Sequence, residues 1–291
     1  MSEKNQQGGR IALVECPRDA MQGWPHIIPT AKKIEYLNSL LRVGFDTLDF
    51  GSFVSPRAIP QMADTAEVLK GLELGPSHTR LLAIVANFRG AEQAASYEAI
   101  SYLGFPFSVS ETFQLRNTNK TIEGSFATVE EMQDLCAKTQ KELVVYLSMG
   151  FGNPYGDHWS EEVVYEWASA LAKLGVKILS VADTVGLATP EQVFSVTNYL
   201  MRELPQCVVG VHLHSTPHGR KAKIDAALQA GCQRFDGALK GIGGCPMAGD
   251  ELVGNMDSEW MIHHFEEKHR LPVLNKTALK ESLRLATEIF V

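Results

Sequence analysis

The sequence predicts a single α/β domain folded as a (β/α)8 TIM barrel with one extra helix at its C-terminal end. Three observations support this fold class. The 291 residues alternate eight short apolar runs with longer amphipathic stretches. Hydrophobic residues make up 45% of the chain, which is enough for one large core. The first apolar run is followed by CPRDAMQG rather than G-x-G-x-x-G, which disfavours a doubly wound open sheet.

The eight apolar runs are predicted to be the barrel strands, because each is short, bounded by turn residues and rich in β-branched or aromatic side chains. In chain order they read IALVEC, FDTLDF, RLLAIVA, SYLGFPFSV, ELVVYLSM, KILSVAD, CVVGVHLH and RFDGALKG. We expect residues 11–291 to form the barrel domain and residues 1–10, which are polar and glycine-rich, to form a flexible tail.

The stretches between the strands carry helix signals. IPTAKKIEYLNSLLRVG has apolar residues at helical spacing and ends at Gly44, a typical C-terminal stop. Ser160 is a candidate N-cap, as is Thr189, which is followed by Pro190 at the first helical position. The segment HRLPVLNKTALKESLRLATEIF predicts the extra helix after the eighth unit. The pair His263–His264 is expected on a solvated helix face.

Composition disfavours several classes of function. The formal net charge is −7 without a basic block, so nucleic-acid binding is not expected. Apolar runs fall short of the roughly 18 residues that a membrane span needs, and the start lacks the apolar core of a signal peptide. The five cysteines are scattered and odd in number, which favours a reducing, cytoplasmic location over a disulfide framework.

Polar side chains at the predicted strand ends are candidates for function, because barrel enzymes carry their chemistry at the C-terminal ends of the strands. They are Arg18, Asp19, Asp49, Asn87, Tyr146, Asp183, His212 and His214, with Cys245 and Asn255 in the glycine-rich loop after the eighth strand.

His212 and His214 predict a metal site. Residues two apart on a strand point to the same side, so the two imidazoles project together. Asp19 is in reach because the first, seventh and eighth strands become neighbours when the barrel closes. Nitrogen and oxygen ligands suit Mn²⁺, Mg²⁺, Zn²⁺ or Co²⁺, and the residues alone do not choose among them. The alternative is a pair of half-buried histidines bonded to backbone; His218 is expected at the surface.

Other candidates leave alternatives open. Asp183 is either a base or a cap of the next turn. Asp49 is either a carboxylate behind the metal ligands or, as we favour, the salt-bridge partner of an arginine. Cys245 is expected to be a reactive thiol in an exposed loop, whereas the other four cysteines are expected to pack in the core. The stretch GIGG either binds phosphate through backbone N–H groups or makes the loop mobile.

Five motifs carry a family resemblance. ECPRDAMQ, SFVSP, VADTVG, VHLH and GIGGCP with a later GN occur in an order and spacing that resembles the 3-hydroxy-3-methylglutaryl-CoA lyase family. This family belongs to a metallolyase group of TIM barrels that also holds isopropylmalate, citramalate and homocitrate synthases. The similarity spans Ile11 to Asn255, and SFVSPRAIPQMAD and GIGGCP point to the lyase branch.

The resemblance implies a reaction and a site. The reaction is a divalent-metal-dependent retro-Claisen cleavage of 3-hydroxy-3-methylglutaryl-CoA, or a closely related hydroxyacyl-CoA, to acetyl-CoA and acetoacetate by a homodimer. The alternatives are an acyl-CoA condensing enzyme of the citramalate or isopropylmalate synthase type and a non-catalytic, metal-dependent metabolite-binding barrel. Asp19, His212, His214 and Asn255 would hold Mg²⁺ or Mn²⁺. Arg18 would stabilise the enolate oxygen, Cys245 would be the catalytic cysteine, and His212 would sit beside the reacting hydroxyl. Asp183, Asp49 and Tyr146 would line the site. Further contacts to the acyl-CoA would come from Gln22, Ser52, Asn87, Gly243 and Gly244.

This sequence departs from the family pattern around the acyl substrate. RDAMQ replaces the usual RDGLQ, Ser215 follows the second histidine where aspartate is common, and Met149 stands where a cysteine is often found. The loop between Cys245 and Asn255 is also longer than usual. These changes bear on the choice of substrate more than on the cation site.

Overall fold

The computed structural model describes residues 9–75, 77–244 and 253–291. Within these ranges eight parallel strands close into a barrel in which each strand pairs with the next and the eighth pairs with the first. The predicted (β/α)8 barrel is therefore confirmed. Most of the predicted tail lies outside the described residues, and Arg10, at its end, forms an ion pair with Asp46 at 2.8 Å. The domain bounds stay a prediction.

All eight predicted apolar runs contain a strand. The strands are β1 (Ala12–Glu15), β2 (Thr47–Ser52), β3 (Arg80–Ile84), β4 (Ile100–Ser108), β5 (Glu142–Ser148), β6 (Ile178–Ala182), β7 (Val208–His212) and β8 (Arg234–Gly237). Strand β8 pairs with β7 on one side and with β1 on the other. The two ends of the chain therefore meet at this seam of the barrel.

Helices follow the strands around the outside of the barrel. They are α1 (Pro17–Gln22), α2 (Thr30–Val43), α3 (Thr65–Lys70), α4 (Phe88–Ala95), α5 (Glu111–Thr118), α6 (Ile122–Thr139), α7 (Glu161–Lys173), α8 (Pro190–Glu203), α9 (Arg220–Gln229), α10 (Ser258–Glu267) and α11 (Lys276–Ile289). Short 3-10 turns span Pro60–Met62 and Leu239–Gly241. Helix α11 is the predicted extra helix, and it packs against α2.

The predicted helix boundaries are confirmed where a cap specified them. Gly44 ends α2 with φ of 89°, a conformation that glycine adopts without steric cost. The Ser160 side chain accepts a hydrogen bond from the backbone of α7. Thr189 begins α8 with a reciprocal capping box to Gln192. Local capping chemistry therefore set these ends correctly.

Buried apolar side chains form two clusters. The larger one fills the space between strands and helices and includes Phe50, Phe105 and Phe107. The smaller one consists of alternating residues of neighbouring strands: Leu82, Tyr102, Val144, Tyr146 and Ile178. Every second side chain of a strand points to the same face of the sheet. These five side chains face the barrel interior, and every second residue of the remaining strands faces it too.

The prediction for the pair His263–His264 is wrong for one member. The side chain of His263 is 71% exposed, as expected. His264 is buried because its ring stacks on Trp260, and its Nε2 lies 2.7 Å from Asp225 Oδ1.

Among the helices of the described residues, none is long and apolar enough to cross a membrane.

Candidate metal centre and active site

Three side chains from different parts of the chain form a cluster at one end of the barrel. The carboxylate of Asp19 and ring nitrogens of His212 and His214 lie within 4.8 Å of one another. All three residues are buried. The structure therefore brings together the three residues that the sequence pattern grouped as metal ligands.

The barrel seam explains how this cluster forms. His212 ends β7 and His214 follows it, so both rings project beyond the same strand. Asp19 follows β1, which is separated from β7 by β8 alone. The chain does not simply extend after β1, because Pro17 begins the six-residue helix α1. This turn directs Arg18 and Asp19 over the end of the barrel.

The hydrogen bonds of the two histidines determine which ring nitrogens carry lone pairs. His214 Nδ1 lies 2.8 Å from the carbonyl oxygen of Val253, which can only accept, so this nitrogen is the donor. His212 Nδ1 lies 3.3 Å from Asp236 Oδ2, and the same reasoning applies. In the neutral rings both Nε2 atoms therefore carry lone pairs, and they face each other at 3.3 Å. A cation bound to both nitrogens would remove their mutual repulsion.

Asn255 completes the cluster. Its Nδ2 donates to Asp19 Oδ2 at 2.7 Å and to the Ile242 carbonyl at 2.9 Å. Its Oδ1 is buried and has no hydrogen-bond partner among the described residues. Two imidazole nitrogens, a carboxylate and an amide oxygen form a donor set that fits a divalent cation such as Mg²⁺ or Mn²⁺.

The glycines of the GIGG stretch permit a close approach. Gly243 has φ of 107°, and a Cβ atom there would lie 2.5 Å from Asn255 Nδ2 and 3.1 Å from Ala20 Cα. Any side chain would therefore push Asn255 away from Asp19. Gly244 also has a positive φ of 135°. The position of Asn255 thus explains Gly243 without a bound phosphate, and the predicted substrate contacts of both glycines stay a prediction.

The charges around the cluster shift the ionisation of its members. Burial would raise the pKa of Asp19, but Arg18 and the histidines outweigh it and lower the pKa to about 2. Burial lowers the pKa of His214, and neighbouring His212 lowers it further. For His212, burial also acts to lower the pKa, but the hydrogen bond and charge of Asp236 raise it overall. Asp19 is therefore an anion near neutral pH, as a cation ligand must be.

Arg18 is fixed beside the cluster by two carboxylates. Its Nε and Nη2 contact Asp49 at 3.0 and 2.6 Å, and its Nη1 contacts Asp19 at 2.9 Å. Nη1 also donates to Gln22 Oε1 at 3.0 Å. Asp49 thus has the salt-bridge role that we favoured from the sequence. These bonds hold the guanidinium plane rigidly next to the ligand atoms.

Asp183 occupies the capping position rather than that of a free base. Its Oδ1 accepts from the backbone N–H of Ala188 at 3.0 Å, and its Oδ2 lies 2.6 Å from Lys223 Nζ. Lys223 also donates to the carbonyl oxygen of His214 at 2.8 Å. The ion pair is buried on both sides, with side-chain exposures of 8% for Lys223 and 2% for Asp183.

Sequence analysis missed Lys223. Helix α9 is barely amphipathic, so its pattern carried little sign that Lys223 lies on the buried side with Ile224, Ala226 and Ala227. A buried lysine requires a buried partner, which here is Asp183. Asp236 was missed for a similar reason, since it reads as a polar residue inside the apolar run of β8.

The remaining predicted residues lie at varied positions. The rings of Tyr146 and His212 are nearly perpendicular, with their centroids 5.8 Å apart. Ser52 is buried and its backbone N–H donates to Thr65 Oγ1 at 3.2 Å, whereas Asn87 caps α4 by accepting from the backbone of Gly90 at 2.9 Å. Cys245 lies outside the described residues. The catalytic and substrate-binding roles expected for these residues stay predictions.

A cavity of about 580 Å³ lies beside Asn255, within reach of the cluster. Arg220 and Lys240 contribute positive charge to its wall, and Asp257 contributes negative charge. Its other described lining residues are Ser215, Thr216, Pro217, Gly241, Val253 and Gly254. Arg220 is paired with Asp257 at 2.7 Å, so Lys240 leaves one net positive charge in the wall, which suits an anionic ligand.

A model of the HMGL-like family matches residues 11–288, which is nearly the whole chain. The chain belongs to the HMGL-like family. This HMGL-like protein is 34% identical over 254 residues to the cytoplasmic 3-hydroxy-3-methylglutaryl-CoA lyase of Rattus norvegicus, a match that covers 87% of this chain and 73% of the relative. It is 34% identical to a hydroxymethylglutaryl-CoA lyase of Bacillus subtilis, with 86% and 83% covered.

Solved structures agree with this assignment. The HMGL-like protein matches an HMG-CoA lyase from Acinetobacter baumannii, in complex with coenzyme A and 3-methylmalate, with a TM-score of 0.90 and 30% sequence identity. The match covers 98% of this chain and 93% of the other. Its membership and these relatives make the HMGL-like protein an enzyme, a carbon–carbon lyase of the HMG-CoA lyase type.

Proposed function

We propose that the HMGL-like protein cleaves 3-hydroxy-3-methylglutaryl-CoA, or a closely related hydroxyacyl-CoA, to acetyl-CoA and acetoacetate with the help of Mg²⁺ or Mn²⁺. The observation that carries this proposal is that the Asp19 carboxylate and ring nitrogens of His212 and His214 lie within 4.8 Å of one another. Asn255 is hydrogen-bonded to Asp19, and its buried Oδ1 has no partner among the described residues. The names of the relatives and the coenzyme A bound to the Acinetobacter baumannii structure support the choice of substrate.

Asp19, His212, His214 and Asn255 would hold the cation. When bound, it would polarise the substrate's hydroxyl and carboxylate oxygens and so lower the pKa of the hydroxyl. The low pKa of Asp19 keeps this ligand ionised, and Asp236 and Val253 fix the histidine tautomers that offer Nε2. The chain thus contributes a rigid and correctly protonated set of donors.

Arg18 would stabilise the oxyanion that forms on the acetyl-CoA fragment. Burial acts to lower its pKa, but the charges of Asp49 and Asp19 outweigh it and raise the pKa, so the guanidinium stays charged. Nη2 has two N–H groups and donates to Asp49, which leaves one N–H for a substrate oxygen. A fixed positive charge in a buried site stabilises a developing negative charge without reorganisation.

The proposed cleavage has three steps. The tertiary hydroxyl, beside which the resemblance places His212, would pass its proton to a water molecule, and a carbonyl would form at that carbon. The carbon–carbon bond then breaks, and its electron pair moves to the acetyl-CoA fragment as an enolate. The enolate carbon would finally take up a proton, either from Cys245, which the family resemblance implies is the catalytic cysteine, or from a water molecule. Asp183 has no part in these transfers, because Lys223 and Ala188 already occupy its carboxylate.

Lys223 and Asp183 are instead positioning residues in this proposal. The ion pair joins the end of β6 to α9, and Lys223 holds the carbonyl of His214. This contact restrains the backbone of His214, a proposed ligand.

We further propose that an acyl-CoA is the molecule that binds at this site, and the homodimer stays a prediction.

The decisive experiment is an assay of acetyl-CoA release from a panel of hydroxyacyl-CoAs that includes 3-hydroxy-3-methylglutaryl-CoA and citramalyl-CoA. The protein is stripped of metal and tested with and without Mg²⁺ or Mn²⁺, with Asp19→Ala as the inactive control. Metal-dependent release from 3-hydroxy-3-methylglutaryl-CoA supports the proposal. Release of free coenzyme A from acetyl-CoA and a 2-oxo acid, without cleavage of any panel member, would instead identify a condensing enzyme. Inactivity in both assays would favour the remaining alternative, a non-catalytic barrel that binds a metabolite.

A further inference from the structure

A second set of ligand atoms lies on the other side of His212. Cys16 Sγ, a carboxylate oxygen of Asp236 and a ring nitrogen of His212 all lie within 4.8 Å of one another. Cys16 directly follows β1, Asp236 is in β8 and His212 ends β7. These three strands are consecutive around the barrel seam, and all three residues are buried. This second set and the Asp19–His212–His214 cluster have one residue in common, His212.

The polar atoms of this set are poorly satisfied. Asp236 is 2% exposed, and its Oδ1 has no hydrogen-bond partner among the described residues. Its Oδ2 has distant partners, His212 Nδ1 at 3.3 Å and Ser180 Oγ at 3.5 Å. The thiol of Cys16 contacts the Val14 carbonyl at 3.9 Å. A buried carboxylate oxygen without a partner is costly, and a bound cation would remove this cost.

We propose that Cys16, His212 and Asp236 form a binding site for a soft divalent cation of the Zn²⁺ class. Thiolate and imidazole ligands select such ions, whereas Mg²⁺ and Mn²⁺ prefer oxygen. Three protein ligands and one water give the four-coordinate geometry that Zn²⁺ adopts. On binding, the sulfur–metal bond replaces the S–H bond, and the thiol proton passes to solvent.

The charges around this site favour a cation. Burial, followed by the carboxylates of Asp236 and Asp49, raises the pKa of the Cys16 thiol, and Asp19 adds to this while Arg18 opposes it. The thiol therefore keeps its proton until a cation displaces it. Arg234 also lies close enough to Asp236 and Cys16 to interact with their charges. With His212 neutral, as a cation ligand must be, three carboxylates against two guanidinium groups leave one negative charge in excess, which a bound cation compensates.

Occupation of this site excludes a cation at the Asp19 cluster. His212 Nδ1 faces Asp236, whereas its Nε2 faces His214. A neutral imidazole has one lone pair and one N–H group. If Nδ1 binds the soft cation, the proton moves to Nε2 and points at the place where the proposed lyase cation needs a lone pair. A soft cation at Cys16 therefore inhibits the enzyme through the tautomer of His212.

Cobalt(II) provides a direct test, because a Co²⁺–thiolate bond gives a charge-transfer absorption band in the near ultraviolet that nitrogen and oxygen ligands do not give. Metal-free wild-type protein titrated with Co²⁺ should develop this band with one thiolate bond per chain. The Cys16→Ser variant should lack it, and the matched Cys136→Ser variant should keep it, since Cys136 lies in α6. If serine disturbs folding, as judged by circular dichroism, Cys16→Ala serves instead.

Absence of the band in wild-type protein, or its persistence without the Cys16 thiol, would overturn the proposal. This test does not depend on the proposed function. The activity test does: the Zn²⁺ concentration that halves Mg²⁺-supported acetyl-CoA release should rise about tenfold or more in Cys16→Ser. Equal Zn²⁺ sensitivity in wild-type and Cys16→Ser proteins would refute the inhibition, whereas an enzyme inactive on every substrate would refute the proposed function and leave the absorption result standing.

Discussion

Asn255 and Asp19 are 236 positions apart in the chain, yet Asn255 Nδ2 donates a hydrogen bond of 2.7 Å to Asp19 Oδ2. This bond joins the segment after β8 to helix α1 across the barrel seam. It also orients the amide so that Oδ1 is left without a hydrogen-bond partner among the described residues. The carboxylate therefore positions the amide. In the proposed centre, each of the two residues would supply one oxygen to the cation.

The charge of Asp19 can be removed with little change in its shape. Asp19→Asn should lower kcat by about two orders of magnitude or more, because a neutral amide binds a divalent cation weakly and no longer compensates Arg18. Steady-state acetyl-CoA release measures kcat, and circular dichroism verifies the barrel. Asp134→Asn, on helix α6, is the matched control. Wild-type turnover in Asp19→Asn would remove Asp19 from the proposed site.

The role of His214 in cation binding can be tested by comparing His214→Ala with His218→Ala, four residues further along the chain. His214→Ala should weaken Mn²⁺ binding at least about tenfold, because a proposed ligand is lost. His218→Ala should bind Mn²⁺ as the wild type does, since His218 is exposed four residues further on. Electron paramagnetic resonance of free Mn²⁺ gives both affinities. Similar losses in the two variants would mean that the effect is not one of ligation.

Metal removal should change stability as well as activity. Dialysis against EDTA should abolish activity, and Mg²⁺ or Mn²⁺ should restore it. A cation that binds the folded state alone at 100 times its dissociation constant stabilises it by about 2.7 kcal/mol, so the melting temperature should rise on addition. Asn255→Ala should show a smaller rise, because a proposed ligand oxygen, Asn255 Oδ1, is gone. An unchanged melting temperature on addition of Mg²⁺ or Mn²⁺ would contradict the predicted metal site.

The Lys223–Asp183 ion pair should matter for stability. Lys223→Met leaves the buried carboxylate of Asp183 without its cation, which should lower the free energy of unfolding by about 3–5 kcal/mol. Lys221→Met is the control, because Lys221 lies on the same helix with its side chain 68% exposed. The double variant Lys223→Met with Asp183→Asn should recover part of the loss. Urea unfolding measures all three, and equal effects of the two lysine variants would argue against a buried pair.

Glu15 should make stability depend on pH. Burial raises the pKa of Glu15 from 4.5 to about 8, partly offset by hydrogen bonds from Ser258 and the Leu239 backbone. The folded state therefore binds one proton more than the unfolded state between these pH values. The free energy of unfolding should fall by about 1.4 kcal/mol per pH unit across this window from this group.

Glu15→Gln, which keeps one acceptor and one donor, isolates this effect. The variant should lack this contribution, so its stability relative to wild type should increase from pH 5 to pH 8. Thermal unfolding at several pH values provides the measurement. A constant difference between the two proteins would show that Glu15 is ionised in the folded state.

Much of the fold was determined by local pattern alone. The eight apolar runs, the Gly44 stop and the Thr189 cap each depend on a few neighbouring residues, and all are found in the structure. The pairing of His212 with His214 follows from the two-residue period of a strand. The meeting of both with Asp19 followed from closure of the barrel, which the number of strands implied.

Tertiary structure alone decided which partner each polar group has. From the residues alone, Asp183 was equally compatible with a base or a cap. In the structure, Ala188 N–H donates to its Oδ1 at 3.0 Å, and Lys223, 40 positions later, donates to its Oδ2 at 2.6 Å. Likewise, the partner of His212 Nδ1 depends on the register that places His212 opposite Asp236. A hydrogen bond is decided by differences of less than an ångström between atoms on separate strands, and periodicity in the sequence does not specify distances of that size. The sequence alone therefore determined the architecture and the choice of candidate residues, and the packed barrel decided their tautomers and ion pairs.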